Sequence, residues 1–219
     1  QKPEQFFRAA FKKLIATDAQ ELIIDVRDNG GGSEEAFIPL LQHLLTEPFQ
    51  VYRELSVKTQ TIPQQEYFPY DKPKKLEKAA KKSYTAVGDR FHDLNSPSVK
   101  MTAPNSPHYQ GKVYVLMNER SYSATGDFIG VLDQYNRATF AGVETGGNPY
   151  QNVAGERLTL LLPNSQLRIH IPLLKYVINN DHKNEGRGML PDISIPQTVD
   201  EIINFQDLQL EKLLERIRR

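Results

Sequence analysis

No cysteine occurs among the 219 residues, which excludes a disulfide framework, a thiol nucleophile and a thiolate zinc site. An excess of charge is missing too. Lys and Arg total 27, and so do Asp and Glu, so nothing marks a chain built to coat nucleic acid or an anionic membrane. Long apolar runs are also absent. Stretches such as Leu158 to Pro163 fall far below the roughly 18 residues a spanning helix needs. The balance that is present, 39% hydrophobic and 25% charged, is that of a folded globular chain. At this length it makes one large domain or two small ones.

The sequence opens on Gln1 rather than Met and enters almost at once a stripe of Phe6, Phe7, Ala10, Phe11, Leu14 and Ile15 at helical spacing. We read this abrupt start as that of a fragment or a processed form. The run from Glu21 to Arg27 is short and nearly all apolar around Leu22-Ile-Ile24, as in a strand covered on both faces. Asp28-Asn-Gly-Gly-Gly32 ends it, and Phe37, Leu40, Leu41 and Leu44 mark a second helix. Phe49 to Val57 reads as another strand. From Gly111 the pattern repeats: strand Lys112 to Asn118, helix from about Ala124 to Tyr135, strand Ala138 to Val143. Serial strand–turn–helix units imply βα crossovers and an α/β fold with a mainly parallel sheet. A hairpin follows around Pro163-Asn-Ser165, and the tail from Val199 to Ile217 is helical.

Between residues 61 and 108 the pattern breaks. Six prolines interrupt this stretch, and Lys72, Lys74, Lys75, Lys78, Lys81 and Lys82 surround Glu77. We expect an irregular, lid-like or peripheral insertion, with residues 1–60 and 109–219 forming the core. Its lysines make either a basic contact surface or a solvated helix face.

Two turns could carry chemistry. Gly30-Gly-Gly32 sits at a strand-to-helix junction, where glycines let another group approach backbone N–H groups aided by a helix N-terminus. Phosphate binding, an oxyanion hole and a plain tight turn all fit, but neither the P-loop nor the Gly-x-Gly-x-x-Gly pattern is present. Ser121-Tyr-Ser123 follows the next strand and opens a helix. Ser123 stands where serine nucleophiles are presented, although Ser121 or Ser123 could equally cap the helix.

Together these segments resemble a known family. Leu22-Ile-Ile-Asp-Val-Arg-Asp-Asn-Gly-Gly-Gly32 is similar to the strand and glycine turn of the C-terminal processing peptidases and tricorn proteases, and Ser121-Tyr-Ser-Ala124 to their nucleophile turn. Ala141-Gly-Val-Glu-Thr-Gly-Gly147 resembles their Gly-Glu-x-Thr-x-Gly loop, and Gly186-Arg-Gly-Met-Leu-Pro-Asp192 their closing motif. The resemblance implies a ββα-superhelix core of the crotonase and Clp-protease kind, and serine peptidase chemistry without a cofactor or metal. It implies Ser123 as nucleophile, the N–H groups of Gly32 and Ala124 as oxyanion hole, and Gly31, Gly147 and Asn148 as substrate-binding residues. Peptides or unfolded protein tails are the implied partners, outside the cytoplasm, in the periplasm or after secretion.

The departures matter as much. Asn148 occupies the position of the processing peptidases' general-base lysine, and an amide cannot take serine's proton at neutral pH. The tricorn-like branch uses instead a histidine upstream of the glycine turn and a glutamate, matched here by Glu185. His43, His92, His108, His170 and His182 all lie after Gly32, so we expect the base upstream of Gln1 and little peptidase activity from this chain alone. Two alternatives stay open: a non-catalytic peptide-binding relative, and a crotonase-like acyl-thioester enzyme, which would need no serine nucleophile.

Overall fold

The computed structural model describes residues 2–182, 186–204 and 206–218. The chain divides into two compact units, one of residues 1–49, 103–150 and 180–219, the other of residues 50–102 and 151–179.

The first unit is built on four parallel strands in the order β1-β5-β6-β9, where β1 is Glu21–Asp25, β5 Lys112–Met117, β6 Thr139–Gly142 and β9 Ile193–Ser194. β5 is central, and Val113, Val115, Leu116 and Met117 are all buried. On one face Leu116 and Ala141 pack with Ile195 and Leu213, the last from the helix Leu208–Ile217. Strand alternation sends Val113, Val115 and Met117 to the opposite face. β1 corrects the expectation of a strand covered on both faces. It lies at the sheet edge, so Leu22, Ile23 and Ile24 are only half-buried.

Three further helices complete the frame of the site: α1 (Pro3–Ala16), α2 (Glu34–Leu44) and α4 (Ala124–Gln134). The Ser33 hydroxyl caps α2 by accepting from the Glu35 N–H at 3.2 Å. α2 meets α4 where the Phe37 and Phe128 rings approach to 6.2 Å. On α1, Phe11 is buried and stacks flat on His43 of α2, with centroids 4.8 Å apart and planes 7° from parallel.

His43 carries a pH dependence. It is buried, its Nε2 lies 3.2 Å from Asn105 Nδ2, and its buried Nδ1 has no hydrogen-bond partner among the described residues. Burial, reinforced by nearby Arg8, lowers its pKa from the ordinary value near 6.5. The unfolded chain therefore binds this proton more readily than the folded one. Stability should be full above about pH 6.5 and fall as the pH drops below that value, until the folded histidine also titrates. Urea unfolding at pH 7.5 and 5.5 checks this, and His43→Phe should remove that part of the difference.

The second unit is an antiparallel sheet in the order β3-β4-β2-β8-β7. Its strands are β2 (Tyr52–Val57), β3 (Tyr84–Val87), β4 (Arg90–Asp93), β7 (Gln151–Leu161) and β8 (Arg168–Ile178). The β7–β8 hairpin turns where Pro163-Asn-Ser165 indicates, but its strands run longer than the apolar segments suggest. The stretch expected to be irregular contains helix α3, Pro73–Ser83, and the β3–β4 hairpin, which pairs onto β2 at Ser56–His92 and Val57–Phe91. Polar side chains fasten it. Glu77 accepts from the Ile62 N–H at 2.6 Å and Gln65 Nε2 at 3.0 Å, while Gln60 Nε2 donates to the carbonyls of Ala80 and Tyr84. Such anchoring leaves no apolar period to read.

Candidate active site

In the first unit, three turns from distant parts of the chain converge at the carboxyl ends of β1, β5 and β6, where parallel sheets gather their sites. The turns after β1 and β5 are laced together. Val26 N–H donates to Leu116 O at 2.8 Å, and Tyr122 N–H to Asn29 O at 3.3 Å. Asp28 N–H donates to Asn118 Oδ1 at 3.0 Å, and Asn118 Nδ2 to Asp28 Oδ1 at 3.2 Å. Ser121 is fully buried; its hydroxyl donates to Val26 O at 2.7 Å and accepts from the Asn118 N–H at 3.1 Å. Ser121 is thus a clamp between the turns, not a helix cap.

Ser123 does not cap α4 either. It occupies the N-cap position at φ 59° and ψ −131° and makes no side-chain cap hydrogen bond. Positive φ is costly for a residue with a Cβ, and such strain clusters at functional sites. The strand–strained turn–helix arrangement is also how serine nucleophiles are held out of the backbone. Gly31, at φ 91°, lies directly against this turn. A Cβ built on it would meet Ala124 N at 2.7 Å, Ser123 Cβ at 2.8 Å and Tyr122 O at 2.8 Å, so only glycine allows the approach. The Gly31 N–H donates to Asn29 Oδ1 at 3.0 Å. Among the described residues the Gly32 N–H and the Ser123 hydroxyl have no hydrogen-bond partner. The Ala124 N–H is one of the donors an α-helix leaves open at its start.

The third turn closes on the same place. A Cβ on Gly147 would fall 2.7 Å from Tyr122 Cα and 3.2 Å from Ser123 N, and the Gly147 N–H donates to Ser121 O at 3.2 Å. Asn148 follows, its carbonyl oxygen 3.4 Å from where a Cβ on Gly126 would lie. The closing motif holds this loop. Met189 N–H donates to Thr145 Oγ1 at 2.8 Å, Thr145 N–H to Met189 O at 3.1 Å, and Thr145 Oγ1 to Gly147 O at 2.8 Å. Glu144 accepts from Arg187 Nη2 at 2.6 Å and from the Gly188 N–H at 3.0 Å. These hydrogen bonds, the arginine's first, hold its carboxyl below the usual carboxylate range.

Ser123, Ala124, Gly31, Gly32, Gly147 and Asn148 therefore lie together, while Glu185 is outside the described residues. The histidines of this unit stand elsewhere. His182 Nδ1 lies 2.6 Å from Asp133 Oδ2. Asp133 is in the last turn of α4, and at roughly 1.5 Å rise per residue this puts it about 15 Å from the serine at the helix start. His43 is packed at the far end of α2, and His108 Nδ1 lies 3.3 Å from Asn105 O. Among the described residues no cluster of three or more His, Asp or Glu could hold a metal ion, and no helix is long and apolar enough to cross a membrane.

Beside the serine turn opens a cavity of about 220 Å³. Gly31, Gly32 and Ala124 form one side of it, and Phe37, Leu40 and Phe128 contribute much of its apolar lining. Sequence reasoning missed it, because its walls come from helices whose packing no local pattern encodes.

The sequence model of peptidase family S41 matches residues 1–195. No curated protein matches the chain. Among solved structures it is similar to mature CPAF, with a TM-score of 0.60 and 18% identity over 98% of this chain and 46% of that one. A structure described as a candidate peptidase from Parabacteroides merdae gives 0.56 and 22%, over 93% of this chain and 54% of the other. The photosystem II D1 C-terminal processing protease gives 0.52 and 17%, over 89% and 39%. The chain thus spans about half or less of these three structures, and at these identities the likeness is one of fold.

Proposed function

The chain belongs to peptidase family S41, and from that premise we propose that it is the catalytic core of a serine-type peptidase acting on peptides or unfolded protein tails. The observation that carries this reading is the strained Ser123, its hydroxyl without a partner among the described residues, set against Gly31 at the start of α4. Ser123 Oγ attacks the peptide carbonyl as its proton passes to a base. The Gly32 and Ala124 N–H groups receive the developing oxyanion, a contribution worth on the order of 3 kcal/mol per donor in such sites. Collapse expels the amine, which takes the proton, and water then releases the acyl group by the same steps in reverse. On this reading the base is a histidine upstream of Gln1, supported by Glu185, and the protein works in the periplasm or after secretion.

The test is fluorophosphonate labelling of this chain and of one extended upstream. We expect labelling of the extended chain at Ser123, its loss in Ser123→Ala, and casein turnover by the shorter chain that is barely measurable. If the short chain turns over substrate and Ser123→Ala stops it, a base lies within these residues. A second reading, a peptide-binding relative without catalysis, is favoured by Asn148 at the lysine position and by the placement of His43, His108 and His182. Absence of labelling in both chains would decide for it. Coenzyme A binding would point to the acyl-thioester alternative.

A further inference from the structure

We propose that α1 is a wall of the pocket that selects the substrate side chain, and that Phe7 sets its depth. The proposal rests on the peptidase reading and specifies its substrate: an apolar side chain of leucine, methionine or phenylalanine size on the acyl side of the cleaved bond.

The cavity shares Gly32 and Ala124 with the proposed oxyanion site. A carbonyl whose oxygen points at those two N–H groups carries its Cα one bond away and its side chain two, so that side chain meets the mouth of the cavity. Among the described residues no Asp, Glu, Lys, Arg or His lines the cavity. Two of its polar groups are engaged in the turn itself: Asn29 Oδ1 accepts from Gly31 N–H, and Ser33 Oγ from Glu35 N–H. A charged side chain would lose its water there without gaining a counter-charge. A cavity of about 150 Å³ lined by aliphatic and aromatic groups admits benzene, so one of about 220 Å³ takes a phenyl ring.

Phe7 is the residue of α1 that lines this cavity. Its position follows from its neighbour one turn on. Residues four apart share a helix face, and Phe11, stacked on His43, fixes that face against α2. Phe7 is then delivered to the pocket, with the exposed Phe6 ring edge-on to it at 5.2 Å.

The experiment measures binding of acetyl-Ala-Ala-X peptides with a free carboxylate, to which the Gly32 and Ala124 N–H groups can donate as they would to the oxyanion. Calorimetry gives affinities, and methyl NMR of Ala36, Leu40 and Ala124 locates the ligand. We expect X = Leu or Phe to bind at least about tenfold tighter than X = Asp or Lys. Phe7→Trp, which shortens the pocket, should weaken the Phe peptide about tenfold and leave the Ala peptide unchanged, the scale expected for steric changes in such pockets. Phe7→Ala should improve the Trp peptide, and Phe11→Ala, which frees α1 without touching the cavity lining, should do the same. If the Ala124 methyl shifts but the ranking follows neither charge nor residue 7, the pocket assignment is overturned and peptide binding at the turn stands. If no peptide shifts Ala124, both fail.

Discussion

Gly31→Ala is expected to slow fluorophosphonate labelling of Ser123 by two orders of magnitude or more in the extended chain, while Gly32→Ala changes it by no more than a few-fold. A methyl on Gly31 would enter the space held by Ala124 N, Ser123 Cβ and Tyr122 O, and would sit on a backbone at φ 91°. The serine turn would have to retreat. A displacement near 1 Å in a site of this kind costs on the order of a hundredfold. A methyl on Gly32 meets nothing within 4 Å among the described residues, and alanine keeps the N–H that the proposed mechanism uses. Equal effects of the two substitutions would remove the packing argument. A larger effect at Gly32 would mean that its openness is itself required by the substrate.

The largest loss of stability is expected at a glycine away from the chemistry. Gly142, at the end of β6, has φ 113°, and a Cβ there would run into Met117 O on the neighbouring strand β5. Gly142 O meanwhile accepts from the Ile195 N–H at 2.7 Å, so the backbone is held from both sides. Strain of roughly 1–3 kcal/mol and overpacking of similar size together put Gly142→Ala at about 3–5 kcal/mol. At about 2–4 °C per kcal/mol for a chain of this size, the midpoint should drop by roughly 6–20 °C. Gly88→Ala is the contrast. Its φ of 60° is strained, but among the described residues nothing lies within 4 Å of the new Cβ, so a loss of about 1–2 kcal/mol is expected. Calorimetric melts of both variants check the pair, and a Gly142→Ala protein that melts like wild type would refute the close approach.

What could be read from the sequence was what is encoded locally. A glycine run or a serine between a strand and a helix marks its own turn, and the order of the motifs brings Gly31 and Ser123 into one site without knowledge of the sheet. The second sheet was not legible in this way. Tyr52–Val57 looks the same whether it continues a parallel series or, as here, pairs antiparallel with β8, because its partner lies over a hundred residues on. For α3 the lysine run allowed a solvated helix face, but how that helix is fastened could not be read, because Gln60 and Glu77, not an apolar stripe, anchor it. The pocket wall was hidden for a related reason. Phe7 and Phe11 announce a helix face, but which cavity that face closes depends on a stack with His43, and flat ring-on-ring packing leaves no signature in spacing. Ser121 was misjudged as a capping candidate because its true acceptor, Val26 O, is 95 residues away.

That distant hydrogen bond bears on how the chain comes into being. The strands joined by it pair parallel, with a long connection between them, and such pairings form late because the loop between them must first be closed. The glycine turn and the serine turn are held together by Val26 N–H to Leu116 O, Tyr122 N–H to Asn29 O and Ser121 Oγ to Val26 O, contacts that need β1 beside β5. On the proposed reading, a chain still being synthesised holds the serine but no place for an oxyanion, and so would be protected from its own chemistry. On that reading, assembly of the sheet is the event that arms it.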